Sequence, residues 1–147
     1  MTIYFYSHNE NEPYGSFSNF SNHGFKINQE IWKTSEHYFQ AQKFVYSPKH
    51  YNQVMESNHP KKAAQIGRDR SLPLRPDWNS VKENVMRQAL EAKFTQHEKL
   101  KDLLLSTGNQ EIVEDSPIDF YWGCGSDRTG QNRLGILLME LRDKLRK

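Results

Sequence analysis

The chain has 147 residues, enough for one compact domain with a real core. Its hydrophobic share of 35% is low, yet 12% of the residues are aromatic, which argues against a disordered chain. A net charge of +2 does not by itself indicate a nucleic-acid binder, and the single cysteine, Cys124, excludes an intrachain disulfide.

In chain order, Ile3 to Tyr6 is β-branched and aromatic and predicts a short first strand. The start of the chain lacks a basic segment followed by a long apolar run, so it does not read as a signal peptide. No stretch approaches the roughly 18 apolar residues that a membrane span requires. The expectation is a cytoplasmic protein with no membrane partner. Asn9 to Asn22 is rich in Asn, Ser, Gly and Pro and predicts a loop. Phe25-Lys26-Ile27 and Ile31-Trp32 predict a small hairpin.

Helices dominate the rest. Thr34 or Ser35 caps a helix expected to run to about Tyr46, before Pro48. Shorter helices are expected over 49–57 and 61–68. Trp78, Val81, Val85, Ala89 and Ala92 mark one face of a longer helix reaching about Gln96. Leu100, Leu103 and Leu104 predict a further helix ended by Gly108. Leu134, Leu137, Leu138, Leu141 and Leu145 form an apolar stripe at helical spacing. Nothing divides the chain, so the expected fold is a mainly helical α+β single domain over 1–147. Its small antiparallel β element lies near the N-terminus.

Three segments carry chemistry. On the helix starting near Ser35, Glu36, Gln40 and Lys43 share one face, with Phe39 beside them. A carboxylate, an amide and an ammonium in line suit a polar substrate; an acid in the first turn also simply complements the helix dipole. A second cluster runs Asp119-Phe120-Tyr121-Trp122-Gly123-Cys124-Gly125, followed by Asp127, Gly130, Asn132 and Arg133. Its glycines permit close backbone approach and its aromatics suit stacking on a heterocycle. An ordinary loop leading into the last helix accounts for it equally well. The spacing matches neither a P-loop nor a dinucleotide fingerprint, because Gln131-Asn132 stand where Lys-Ser/Thr is required and Arg128 where the last glycine would be.

The third segment is Pro13-Tyr14-Gly15-Ser16-Phe17-Ser18-Asn19-Phe20, either a recognition loop or a surface loop pinned by Phe17 and Phe20. Between residues 60 and 76, Lys61, Lys62, Arg68, Arg70 and Arg75 face Asp69 alone. That excess is either a solvated face or a phosphate-gripping patch. No metal-ligand spacing occurs among the histidines, so neither metal nor cofactor is expected. Cys124 has no base at a recognisable spacing and reads as a loop thiol.

Taken together, these segments resemble the YbiA-like, or NADAR, family of N-glycosidases. The resemblance rests on Phe17-Ser18-Asn19-Phe20, the run Thr34 to Phe44, Gly67-Arg68, Trp78, Val85-Met86 through Ala92-Lys93-Phe94, and Tyr121-Trp122-Gly123 through Asn132-Arg133-Leu134-Gly135. It implies a mainly helical fold with a small sheet. It also implies hydrolysis of the ribosyl C–N bond of early riboflavin-pathway aminopyrimidines, releasing ribose 5-phosphate. Other family members remove ADP-ribose from guanine in nucleic acid, the one setting in which nucleic acid would be a partner. A non-catalytic ADP-ribose or NAD-like binding module is the alternative of another class.

The family's important glutamate corresponds to Glu36 and its Tyr-Trp-Gly tryptophan to Trp122. By implication, Phe17 and Trp122 would sandwich the heterocycle and Arg68 and Lys43 would take the ribose phosphate. Asn19 and Asn132 would meet sugar hydroxyls, and Gln40 would line the substrate. Cys124 stands where some relatives carry an acid, leaving Asp119 and Asp127 as the acids near that loop.

Overall fold

A computed structural model describes residues 1–9 and 11–147; Glu10, inside the expected early loop, lies outside the described residues. The elements run β1 (Thr2–Phe5), a 3-10 turn (Gly15–Phe17), β2 (Phe25–Ile27), β3 (Glu30–Trp32), α1 (Ser35–Gln42), α2 (Pro48–Glu56), α3 (Pro60–Gly67), α4 (Trp78–Gln96), α5 (Glu98–Ser106), β4 (Glu111–Glu114) and α6 (Arg133–Leu145). The expected mainly helical α+β class is what the chain adopts. Contacts cluster into two compact units, one of residues 1–21 and 94–147, the other of residues 22–93.

In the first unit, β1 pairs with β4 in parallel, Ile3 opposite Ile112 and Tyr4 opposite Val113. This second two-stranded sheet was not expected from sequence. A parallel partner more than a hundred residues away leaves no local turn signal. Glu111-Ile112-Val113-Glu114 also lacks the alternation of a half-buried strand. Helix α6 packs on β4 and on α5, burying Leu134, Leu137, Leu138 and Leu141. Each such side chain contributes about 1.5–3 kcal/mol on burial. Gly135 permits the close approach, since any side chain there would collide with the Ile112 carbonyl oxygen. Gly108 ends α5 in the left-handed region at φ +63°, as its position predicts.

In the second unit, β2 and β3 form the expected hairpin, joined by Asn28 and Gln29, both at positive φ. That pair of left-handed residues is the two-residue turn whose twist matches flanking strands. Phe25 and Trp32 face each other and are buried, while Ile31 on the opposite face is exposed. Helix α1 is capped by Thr34, whose hydroxyl accepts from the His37 amide at 3.1 Å. It ends at Gln42 rather than near Tyr46. Pro48 occupies the first turn of α2, and the residue before a proline is steered out of helical geometry, so the chain must turn between them.

His37 ties α1 to the end of α2. Its Nε2–H donates to the Ser57 carbonyl at 3.0 Å, and its Nδ1 lies 2.8 Å from the Thr34 hydroxyl and accepts from it. Lys33 Nζ donates to the same carbonyl at 2.8 Å and to that of Glu56 at 3.1 Å. Burial, with smaller help from Lys33 and His59, holds the His37 pKa below its ordinary 6.5, against the opposing hydrogen bond to Ser57. The unfolded chain therefore takes up a proton first. This group's contribution is fully present above pH 6.5 and is lost as pH falls towards the folded value. Thermal unfolding followed from pH 8 to 5 should show a declining midpoint in the wild type and a flatter dependence in His37→Gln. An equally steep decline in the variant would remove His37 as the cause.

Candidate active site

The second unit builds a polar cluster on α1. Residues Ser35 to Ala41 are all buried, including three that seldom are: Glu36, His37 and Gln40. Glu36 is 6% exposed and Gln40 3% exposed. One helical turn separates them, and Gln40 Nε2 donates to Glu36 Oε2 at 2.8 Å. Lys43 stands one residue beyond α1 but keeps right-handed helical angles, so it remains in line with this face.

The Lys43 ammonium donates to the Gly67 carbonyl at 3.1 Å, at the end of α3. It also sits 5.8 Å from the Phe39 ring centre and 5.6 Å from that of Trp78, which meet edge to face at 5.0 Å. Burial is the largest influence on Lys43 and lowers its pKa to about 8. Arg70 lowers it further, Glu36 opposes, and Arg68 and Lys82 add smaller decreases. Arg68 and Arg70 are exposed and Lys82 is half-buried. The electrostatics thus gather Arg68, Arg70 and Lys82, together with the Glu36 carboxylate, around Lys43. The charge excess around residues 60–76 already contained Arg68 and Arg70. Lys82 lay outside it, on the first turns of α4, and no sequence spacing linked it to Lys43. At the end of this unit Lys93 is fully buried, and burial pushes its pKa down to about 7.

The first unit holds the remaining candidates. Phe17 has no exposed surface. It packs against Phe5 at 5.8 Å, Phe94 at 5.7 Å and Tyr14 at 5.3 Å between ring centres. The Phe17 ring, expected to stack on a heterocycle, is packed among these aromatic side chains. Asn19 follows the 3-10 turn and is half-buried.

In the glycine-containing loop, Asp119 Oδ1 accepts from the amides of Tyr121 at 2.9 Å and Trp122 at 2.8 Å. Asp119 thereby sets the backbone that presents Trp122, whose half-buried indole meets the Tyr121 ring edge to face at 4.9 Å. Gly125 is at φ +73°, and Phe120 covers it so closely that a Cβ would meet the ring. Cys124 is buried, and its Sγ donates to Asp115 Oδ1 at 3.4 Å. Burial first, then that hydrogen bond, push the thiol above its ordinary pKa, the opposite of an activated nucleophile.

Asp127 is exposed and accepts from the Thr129 hydroxyl at 2.7 Å and amide at 3.1 Å, which hold its pKa down. Asn132, expected at a sugar hydroxyl, bonds to β4. Its Oδ1 accepts from the Glu114 amide and its Nδ2 donates to the Ile112 carbonyl, each at 2.9 Å. Both ends of the amide are committed to β4, and Asn132 itself is left-handed at φ 50°. It fixes the start of α6 on β4. Among the described residues, no group of three or more His, Cys, Asp or Glu side chains is placed to hold a metal ion.

The sequence profile of the NADAR domain matches residues 4–146. The chain belongs to the NADAR domain family. It is 52% identical to the N-glycosidase YbiA of Escherichia coli, over 97% of this chain and 88% of that protein. An N-glycosidase of Nostoc punctiforme is 45% identical over 99% of this chain and 94% of its own length. A chloroplastic riboflavin biosynthesis protein of Zea mays is 42% identical over 90% of this chain, which corresponds to 23% of that longer protein. The solution NMR structure of E. coli YbiA superposes with a TM-score of 0.90 at 51% identity, covering 99% of this chain and 84% of that one. Among the described residues of this NADAR chain, no helix is long and apolar enough to cross a membrane.

Proposed function

We propose that this NADAR protein is an N-glycosidase that hydrolyses the ribosyl C–N bond of an aminopyrimidine ribosyl 5-phosphate from early riboflavin biosynthesis. The products are the free aminopyrimidine and ribose 5-phosphate. The observation that carries the reading is the buried Glu36 carboxylate, held by Gln40 in the same unit as Lys43 and its neighbouring cations. The N-glycosidase relatives support the bond type, and the riboflavin biosynthesis relative supports the substrate class.

Departure of the aminopyrimidine leaves positive charge on the ribose C1 and ring oxygen. A carboxylate near that carbon stabilises the charge and then takes a proton from the attacking water. The water oxygen bonds to C1, the C–N bond breaks, and the proton is delivered to the leaving nitrogen. Glu36 has this role. Lys43, with Arg68, Arg70 and Lys82, supplies the positive field for the 5-phosphate. The family match through residues 4–146 supports treating the chain as one domain.

A second substrate, ADP-ribosyl guanine, is favoured by one observation: four cations exceed what a single phosphate needs and suit a pyrophosphate. Parallel turnover assays on both compounds separate the two. The reading predicts faster turnover, per kcat/KM, of the aminopyrimidine ribosyl phosphate; faster release of ADP-ribose would transfer the assignment to the second substrate.

A further inference from the structure

Gln40 and Gly67 have an arrangement that substrate binding does not explain. The Gln40 side chain is almost fully buried, and only one end of its amide is used. Nε2 donates to Glu36 Oε2 at 2.8 Å, whereas Oε1 has no hydrogen-bond partner among the described residues. An ionised carboxylate only accepts, so it selects this orientation of the amide.

The amide occupies the space where Gly67 lacks a side chain. A Cβ on Gly67 would lie 2.6 Å from Gln40 Cδ and 3.0 Å from Gln40 Cβ. The Gly67 backbone is not left-handed, so its conformation does not call for glycine. Within a helix, glycine is weaker than alanine. The glycine is therefore explained by room for the Gln40 amide at the contact between α1 and α3. Its carbonyl also receives the Lys43 ammonium, so one residue seats both Gln40 and Lys43 on this face.

We infer that Gln40, seated by Gly67, is a positioning residue for Glu36 rather than a substrate contact. Its donor holds the carboxylate in one orientation and favours the ionised form. When Glu36 takes a proton, rotation of the amide brings Oε1 to accept from the carboxylic acid, which gives the partnerless acceptor its use. The inference rests on the catalytic reading of Glu36 and deepens it.

Two measurements test it. Gln40→Leu keeps the bulk and removes both polar ends. Its kcat should fall roughly 10- to 100-fold, the range of a lost hydrogen bond to a charged group. KM should stay within about threefold, and the acidic limb of the kcat–pH profile should move to higher pH because the ionised carboxylate has lost its donor. A raised KM with an unmoved acidic limb would make Gln40 a substrate contact and overturn the inference.

The second measurement is a stability cycle that needs no substrate. Gly67→Ala should lower the thermal midpoint in the wild-type background and lower it much less in Gln40→Ala, where only the 3.0 Å contact with the residue-40 Cβ remains. Stabilisation by Gly67→Ala with Gln40 present would remove the seat. An inactive Glu36→Gln beside a fully normal Gln40→Leu would sink this inference alone. Near-normal turnover by Glu36→Gln would sink the catalytic reading, while the stability cycle would still report on the Gln40–Gly67 contact.

Discussion

Glu36→Gln should reduce turnover of the aminopyrimidine ribosyl phosphate by a factor on the order of 10²–10⁴ while leaving the protein folded. The substitution is close to isosteric, and its amide oxygen still accepts from Gln40 Nε2, now 2.8 Å from Glu36 Oε2. That hydrogen bond is therefore kept, and the unfolding midpoint should change little. What disappears is the negative charge that faces the developing cation and the base that takes the proton from water. Substrate affinity should be nearly unaffected, because the lost interaction is made mainly in the transition state. The measurement is steady-state release of ribose 5-phosphate beside thermal unfolding of both proteins. A folded variant with near-normal kcat would remove Glu36 from the chemistry.

Lys43→Met should act on the other half of the substrate. Methionine keeps much of the apolar stem between Phe39 and Trp78 and deletes the ammonium. A lost hydrogen bond to a charged group costs about 1.5–3 kcal/mol, so kcat/KM should fall roughly 10- to 100-fold, chiefly through KM. The sign of the pH effect follows from the lowered pKa of about 8. The ammonium is charged below that value and neutral above it, so the wild-type KM should climb as pH rises through 8, and the variant should lack that climb. Kinetics from pH 6.5 to 9.5 decide it. An unchanged KM in the variant, or the same climb in both proteins, would separate Lys43 from the phosphate.

The parts of this fold that sequence discloses are those with local causes. Thr34 caps α1 through its own hydroxyl, the leucine stripe of α6 is a helical period, and Gly108 stops α5 because the chain turns left-handed there. The hairpin of β2 and β3 is short-range and shows in the alternation of Phe25, Lys26 and Ile27. The pairing of β1 with β4 is the opposite case, since neither segment carries a mark of the other.

The site divides in the same way. Helical periodicity aligned Glu36, Gln40 and Lys43, and the structure adds the hydrogen bond and burial that periodicity cannot give. Asn132 and Phe17 stood in suggestive motifs, but a side chain's partners depend on tertiary neighbours: β4 claims the Asn132 amide, and Phe5, Phe94 and Tyr14 claim the Phe17 ring. The importance of Gly67 was equally invisible, because a helical glycine with ordinary backbone angles carries no sign of what presses against it.

The central claim is catalytic hydrolysis of a ribosyl C–N bond, and product stoichiometry tests it most directly. Purified protein incubated with excess aminopyrimidine ribosyl 5-phosphate should release free aminopyrimidine and ribose 5-phosphate at equal rates, through many turnovers per molecule. Inorganic phosphate should remain at its background level, because the phosphate is held and not cleaved. Binding of the compound without either product, or release of phosphate from an intact glycoside, would contradict the account.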